Sequence, residues 1–153
     1  MGKSLTKAEM RTLLDHHMNC ELRADLDGLM DTLADEVVWG RDDDPNKLIG
    51  RKAIFTHYEG ILAPGKHDAE HIRGWYDEEA QSSATEYRVT VNFEDGNSVS
   101  FPVLACVDFI DGRMKNEVLF FYEGQTPSQL MPQEELMKQG EAFMKAKGIS
   151  DGG

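Results

Sequence analysis

Several things are scarce in this chain of 153 residues, and each scarcity excludes something. There are two cysteines, Cys20 and Cys106, far apart and in no CxxC pattern. A disulfide scaffold and a thiolate metal cluster are therefore not expected. No apolar run approaches the roughly 18 residues that span a bilayer. The first ten residues, MGKSLTKAEM, lack the apolar stretch of a secretory signal, so a cytoplasmic protein with reduced thiols is expected. Positive charge is also short: 16 Lys and Arg against 28 Asp and Glu give a formal net charge of -12. Such a surface repels phosphate backbones and anionic lipid, so neither nucleic acid nor membrane is expected as a partner.

Apolar residues make up 40% of the chain, enough for one core. In LTKAE, Thr6 and Glu9 have capping-box spacing and predict a helix running to about Arg23. A second helix follows, with Leu26, Leu29, Met30 and Leu33 at helical spacing. Glu36 to Trp39 reads as a short strand, and Arg51 to Leu62 as a third helix. After Lys66 the period falls from 3.6 to 2. Four strands are predicted, Ala69 to Asp77, Thr85 to Phe93, Ser98 to Ile110 and Met114 to Tyr122, with hairpin turns at EDGN and DGR. Helices followed by a meander indicate an α+β fold with helices on one face of the sheet. The strand from Ser98 is apolar on both sides, so its outer face is expected to meet a second subunit. A fourth helix is predicted between Pro132 and Gly148, presenting Leu136, Met137, Phe143 and Met144. The chain thus divides into a domain over 1–130 and a helical extension over 131–153.

Four residues could carry acid–base chemistry. His17 and Glu21 are i and i+4 near the centre of the apolar stripe of the first helix, where polar side chains need partners or a solvated cavity. In that arrangement Glu21 orients His17 and raises its pKa; the bland alternative is a satisfied buried pair. Strand alternation puts His71, Arg73 and Trp75 on one face and Ile72, Gly74 and Tyr76 on the other. Asp108 alternates with Cys106 and Ile110 on the central strand, either facing a polar partner or lying in water near the DG turn. His57 and His67 read as ordinary helix and turn residues. His16 and Cys20, also i and i+4, have no third convergent ligand in the sequence, so no metal and no cofactor is expected. Trp39, Tyr58, Trp75, Cys106 and Tyr122 are candidates for the wall of a ligand pocket, with plain core packing as the alternative for the aromatics.

The phrases DLDGLMDTLADEVVWG, GRKAIFTHYEGIL, EHIRGWYDEE and the run from Thr85 through the DGR turn resemble the NTF2-like superfamily, in its SnoaL-like and ketosteroid-isomerase-like branch, over about Leu5 to Leu130. The resemblance implies a cone: a curved sheet and helices around one deep pocket, often dimeric through the outer sheet face. It implies a homodimer here and a small-molecule ligand. Dehydratases and dehalogenating lyases of this group pair a strand histidine with a carboxylate of the first helix. That suggests His71 as a base, with Glu21 or Asp108 beside it. The catalytic residues of ketosteroid isomerases fall on Arg41, His17 and Cys106, all of different chemistry, which argues against that mechanism. The expected function is a cofactor-independent lyase or isomerase acting on a small, largely apolar molecule with a carbonyl or hydroxyl. The alternative is a non-catalytic binding or interaction domain. A hydrolase is the third reading.

Overall fold

A computed structural model describes residues 2–42 and 44–121. Tyr122 and the helix expected from Pro132 lie outside the described residues. The elements are α1 (Lys7–Leu22), α2 (Leu26–Asp31), β1 (Leu33–Arg41), β2 (Leu48–Ile49), α3 (Arg51–Ile61), β3 (His67–Asp77), β4 (Ser82–Asn92), β5 (Ser98–Ile110) and β6 (Arg113–Phe121). No helix among them is long and apolar enough to cross a membrane.

The Thr6–Glu9 capping box starts α1 as its spacing predicts. Leu5 just before the cap and Met10 in the first turn both enter the core, the positions of a hydrophobic staple. The helix ends in a Schellman motif: Asp25 N–H donates to the Cys20 carbonyl at 2.8 Å and Ala24 N–H to that of Glu21 at 3.1 Å. Ala24 takes the left-handed conformation this requires, at φ 56°. The Asp25 side chain then accepts from Gly28 N–H at 3.0 Å and caps α2.

The six strands form one curved sheet in the order β2-β1-β6-β5-β4-β3, antiparallel except where β1 meets β6. Asp111 and Gly112, both at positive φ, make the two-residue turn between β5 and β6. Irregularities interrupt three of the pairings: a longer one in β1 between Leu33 and Val38, and single-residue ones near His71/Arg73 and Asp108/Phe109. Each shifts the inward–outward alternation beyond it and bends the sheet. On β5, Phe101, Val103, Ala105, Val107 and Phe109 are buried. Val107 and Phe109 join Met10, Leu14, Leu29, Ile54 and Tyr58 from the helices in one core. The sheet therefore has an inner face under the helices and an outer face without them.

Only glycine adopts the left-handed region without steric cost. Ala24→Gly is therefore expected to stabilise the protein by about 0.5–1 kcal/mol. Urea denaturation would measure it; an unchanged or lower midpoint would mean that the Ala24 methyl matters more than its backbone.

Candidate functional site

On the inner face, between α1, α3 and the sheet, lies a cavity of about 160 Å³. Its apolar and aromatic wall includes Trp39, Tyr58, Tyr87, Phe101 and Phe121; its ionisable groups are Glu21, His67 and Glu117. Each arrives from a different element. Glu21 is in the last turn of α1, held there by the Schellman end. His67 opens β3, in step with Ala69, which also lines the cavity. Glu117 stands on β6 opposite Val107.

Glu21 meets a histidine, but not either one singled out from sequence. Its Oε1 lies 3.3 Å from His67 Nε2, with both side chains about four-fifths buried at 21% and 18% exposure. The two are at ion-pair distance without the alignment of a hydrogen bond. Such contacts are often loose before substrate arrives. His67 belongs to a strand that begins two residues earlier than its sequence texture suggests, and alternation from Ala69 would have pointed it inward.

His17 is buried at 3% exposure beside the cavity wall, edge-on to Tyr58 with ring centroids 6.4 Å apart. Its Nδ1 lies 2.7 Å from the Thr32 hydroxyl, which itself donates to the Leu29 carbonyl at 2.6 Å. With that hydroxyl proton engaged, Nδ1 is the donor and Nε2 carries the lone pair. The expectation that Glu21 raises the pKa of His17 is corrected: burial lowers it, outweighing the carboxylate. His17 is therefore held toward its neutral form and is not among the cavity-lining residues.

His71 faces inward under α1 and is not among the lining residues. Its ring is edge-on to Tyr87 at 5.7 Å, and its Nε2 lies 3.4 Å from the Tyr76 hydroxyl. The expected grouping of His71 with Trp75 is also corrected. The bulge after His71 turns Arg73 and Trp75 outward, opposite Glu86 and Ala84. Asp108, Cys106 and Trp75 all lie around a separate hollow of about 640 Å³ on the outer sheet face. There Asp108 accepts from the Asn116 amide at 2.9 Å and is exposed. The Cys106 thiol is pushed up by burial and by Asp108. These three residues do not meet Glu21. Of the expected pocket residues, Glu21, Trp39 and Tyr58 converge with one another.

Glu117 has no counterpart among the sequence candidates. It is 9% exposed, and its Oε2 has no hydrogen-bond partner. Burial first, then the Glu21 charge, push its carboxyl up to about 8, although Trp39 hydrogen bonding pulls the other way. The same burial and the same two carboxyls raise the Tyr58 hydroxyl well above its usual range. Among the described residues no three His, Cys, Asp or Glu side chains are arranged to hold a metal ion. His16 Nε2 and Asp25 Oδ2 approach the Cys20 sulfur at 3.7 and 3.8 Å.

The raised carboxyl has a consequence for folding. An unfolded chain releases the Glu117 proton near 4.5, the folded chain near 8. Between those values the folded state binds more protons, so this group's contribution to stability falls as pH rises from about 4.5 to about 8 and levels off above. Glu117→Gln cannot ionise. Relative to the wild type, the thermal midpoint of this variant is expected to climb steadily from pH 5 to pH 8. A constant difference between the two proteins across that range would refute the burial of this acid.

Comparison with known proteins follows the same lines. Residues 14–117 match the model of the SnoaL-like domain. No curated protein sequence matches at a significant level. Among solved structures, an LEH-like epoxide hydrolase of Mycobacterium tuberculosis is similar, with a TM-score of 0.69 and 16% identity over 87% of this chain and 97% of that one. RV0760c of M. tuberculosis, solved in complex with estradiol-17beta-hemisuccinate, gives 0.66 and 14% over 80% and 98%. A protein with a cystatin-like fold from Methylobium petroleophilum PM1 gives 0.66 and 15% over 81% and 82%. At such identities the likeness is one of fold. The family match covers more than half of the chain, and with the helix-covered curved sheet it establishes this protein as a member of the SnoaL-like family of the NTF2-like superfamily.

Proposed function

We propose that the inner cavity is the active site of a cofactor-independent acid–base enzyme of lyase or isomerase type, acting on a small, largely apolar molecule with a carbonyl or hydroxyl. The carrying observation is the Glu21–His67 contact of 3.3 Å at an aromatic-lined pocket. His67 takes a proton from the carbon next to the substrate carbonyl, and the C–H electron pair moves through the carbonyl group onto its oxygen as an enolate. Glu21 holds the ring and balances the charge that develops on it. Trp39 and Tyr58 position an apolar ring. The cavity is below the roughly 300–1,000 Å³ of sites for drug-sized ligands, which points to a substrate smaller than a steroid.

Proton abstraction is measurable before the natural substrate is identified. Exchange of the α-protons of acetophenone or cyclohexanone with D2O, followed by NMR, is expected to be accelerated by the wild-type protein. His67→Ala should lower that rate by about 10²–10⁴-fold and Glu21→Gln by a smaller factor. If the wild type does not accelerate exchange of any such ketone, the pocket serves binding alone, the reading favoured by the ligand complex of RV0760c.

We further propose a homodimer through the outer sheet face. Trp75 on β3 and Phe120 on β6 stand on that face at 55% and 37% exposure, and β5, one of the two strands between them, is apolar on that side at Leu104 and Cys106. Trp75→Glu is expected to weaken a dimer at least tenfold in sedimentation equilibrium. A wild type that stays monomeric at high concentration would rule the dimer out.

A further inference from the structure

The Glu21–His67 pair explains how a proton could move, but it leaves Glu117 without a task. This carboxyl sits deeper than the pair, on the middle of the sheet. The groups around it come from every neighbouring element: Glu21 of α1, Tyr58 of α3, Trp39 of β1, His67 of β3 and Tyr87 of β4. β5 contributes only apolar side chains. No Lys or Arg is among the described lining residues, and the cation next to them, the Arg41 guanidinium, lies over the wall ring of Phe121, 4.6 Å from its centroid. A carboxyl in such surroundings keeps its proton at neutral pH, with Glu21 adding to the effect of burial. It then holds one O–H donor, and its Oε2 has no partner among the described residues. A buried donor without an acceptor is rare in finished structures. Here it faces a cavity, so a ligand can supply the acceptor.

Resting on the reading of this pocket as an acid–base site, we propose that Glu117 determines the ligand class: an uncharged, flat, largely apolar molecule whose single acceptor oxygen takes a hydrogen bond from the Glu117 carboxyl. Anions are disfavoured, because they would bring negative charge toward Glu21, while the Arg41 guanidinium at the cavity edge is stacked over the Phe121 ring. A polar site built to donate discriminates strongly against analogues that lack the acceptor. The same residue limits the working range. Once Glu117 ionises, the donor is gone and a second negative charge enters the pocket.

Three probes with one ring separate the alternatives: acetophenone (neutral acceptor), benzoate (anion) and benzylamine (cation), titrated by calorimetry or NMR from pH 6 to pH 10. Acetophenone should bind the wild type at least tenfold more tightly than either ion at pH 7. Its affinity should fall by about tenfold per pH unit above pH 8, as expected when one proton must stay bound. Glu117→Gln keeps an N–H donor that does not titrate, so it should retain binding and flatten the profile. Glu117→Leu should lose ten- to hundredfold at pH 7, with folding checked by circular dichroism. The proposal is overturned if acetophenone does not bind, if benzoate binds as well or better, or if benzylamine binds best. The last result would mark a cation site using ionised Glu117. It is equally overturned if the wild-type profile is flat through pH 10. His67→Ala separates this from the catalytic reading: it should lower α-proton exchange by the same factor of about 10²–10⁴ while leaving the fall of affinity above pH 8 in place. Failure of exchange with that affinity intact removes only the catalysis, and the reverse removes only the role of Glu117.

Discussion

Two carboxyl side chains share one apolar cup, and most of the site follows from that. Glu21 reaches the rim from α1 and Glu117 lies within, on β6. Two negative charges at close range in a medium of low polarisability are unfavourable, so one site gives up its ionised form. Depth decides which. Glu117 is 9% exposed, against 21% for the Glu21 side chain, and Glu21 has the imidazole of His67 within ion-pair distance. Burial thus pushes the Glu117 carboxyl toward its protonated form, with the Glu21 charge adding to the effect. Environments that separate like groups in this way commonly distinguish acid from base in a pocket.

The framework that holds this arrangement is built from local signals. The capping box fixes where α1 begins, and the Schellman motif fixes where it stops, one turn after His17 and just beyond Glu21. Thr32, at the end of α2, engages His17 and so braces α1 against the second helix. That bond fixes the orientation of the His17 ring. It also gives Tyr58 a firm edge to pack on. A histidine in an apolar stripe is here part of the wall that shapes the cavity.

The fold was largely legible in the sequence because it depends on periodicities that run over many residues. The three helices, the long strands and the two-residue DG turn stand close to where the pattern puts them; the short β2 does not announce itself. The inner and outer faces were less legible, because single-residue bulges decide them. Without the extra residue in β6 near Lys115, the DG turn would pair Glu117 with Cys106 and send it outward; with it, Glu117 pairs with Val107 and points in. The bulge beside Ile72 does the same to Trp75 in the opposite sense. β6 is apolar on both sides of Glu117, with Val118 and Phe120 on one and Leu119 and Phe121 on the other, so hydrophobic pattern could not choose. Glu21 was accessible from the helical wheel. Its partner was not, since His67 lies at the strand boundary, where pattern is weakest.

The two tryptophans of this chain stand on opposite sides of one sheet. Trp39 is in the cavity wall, edge-on to Tyr58 and tilted against His57, whereas Trp75 is exposed beside Arg73. Their emission colours must differ, blue for the ring among apolar neighbours and red for the one in water. The molecule therefore carries two built-in optical reporters. One answers to what fills its interior and the other to what touches its exterior, and no dye is needed to tell the two events apart.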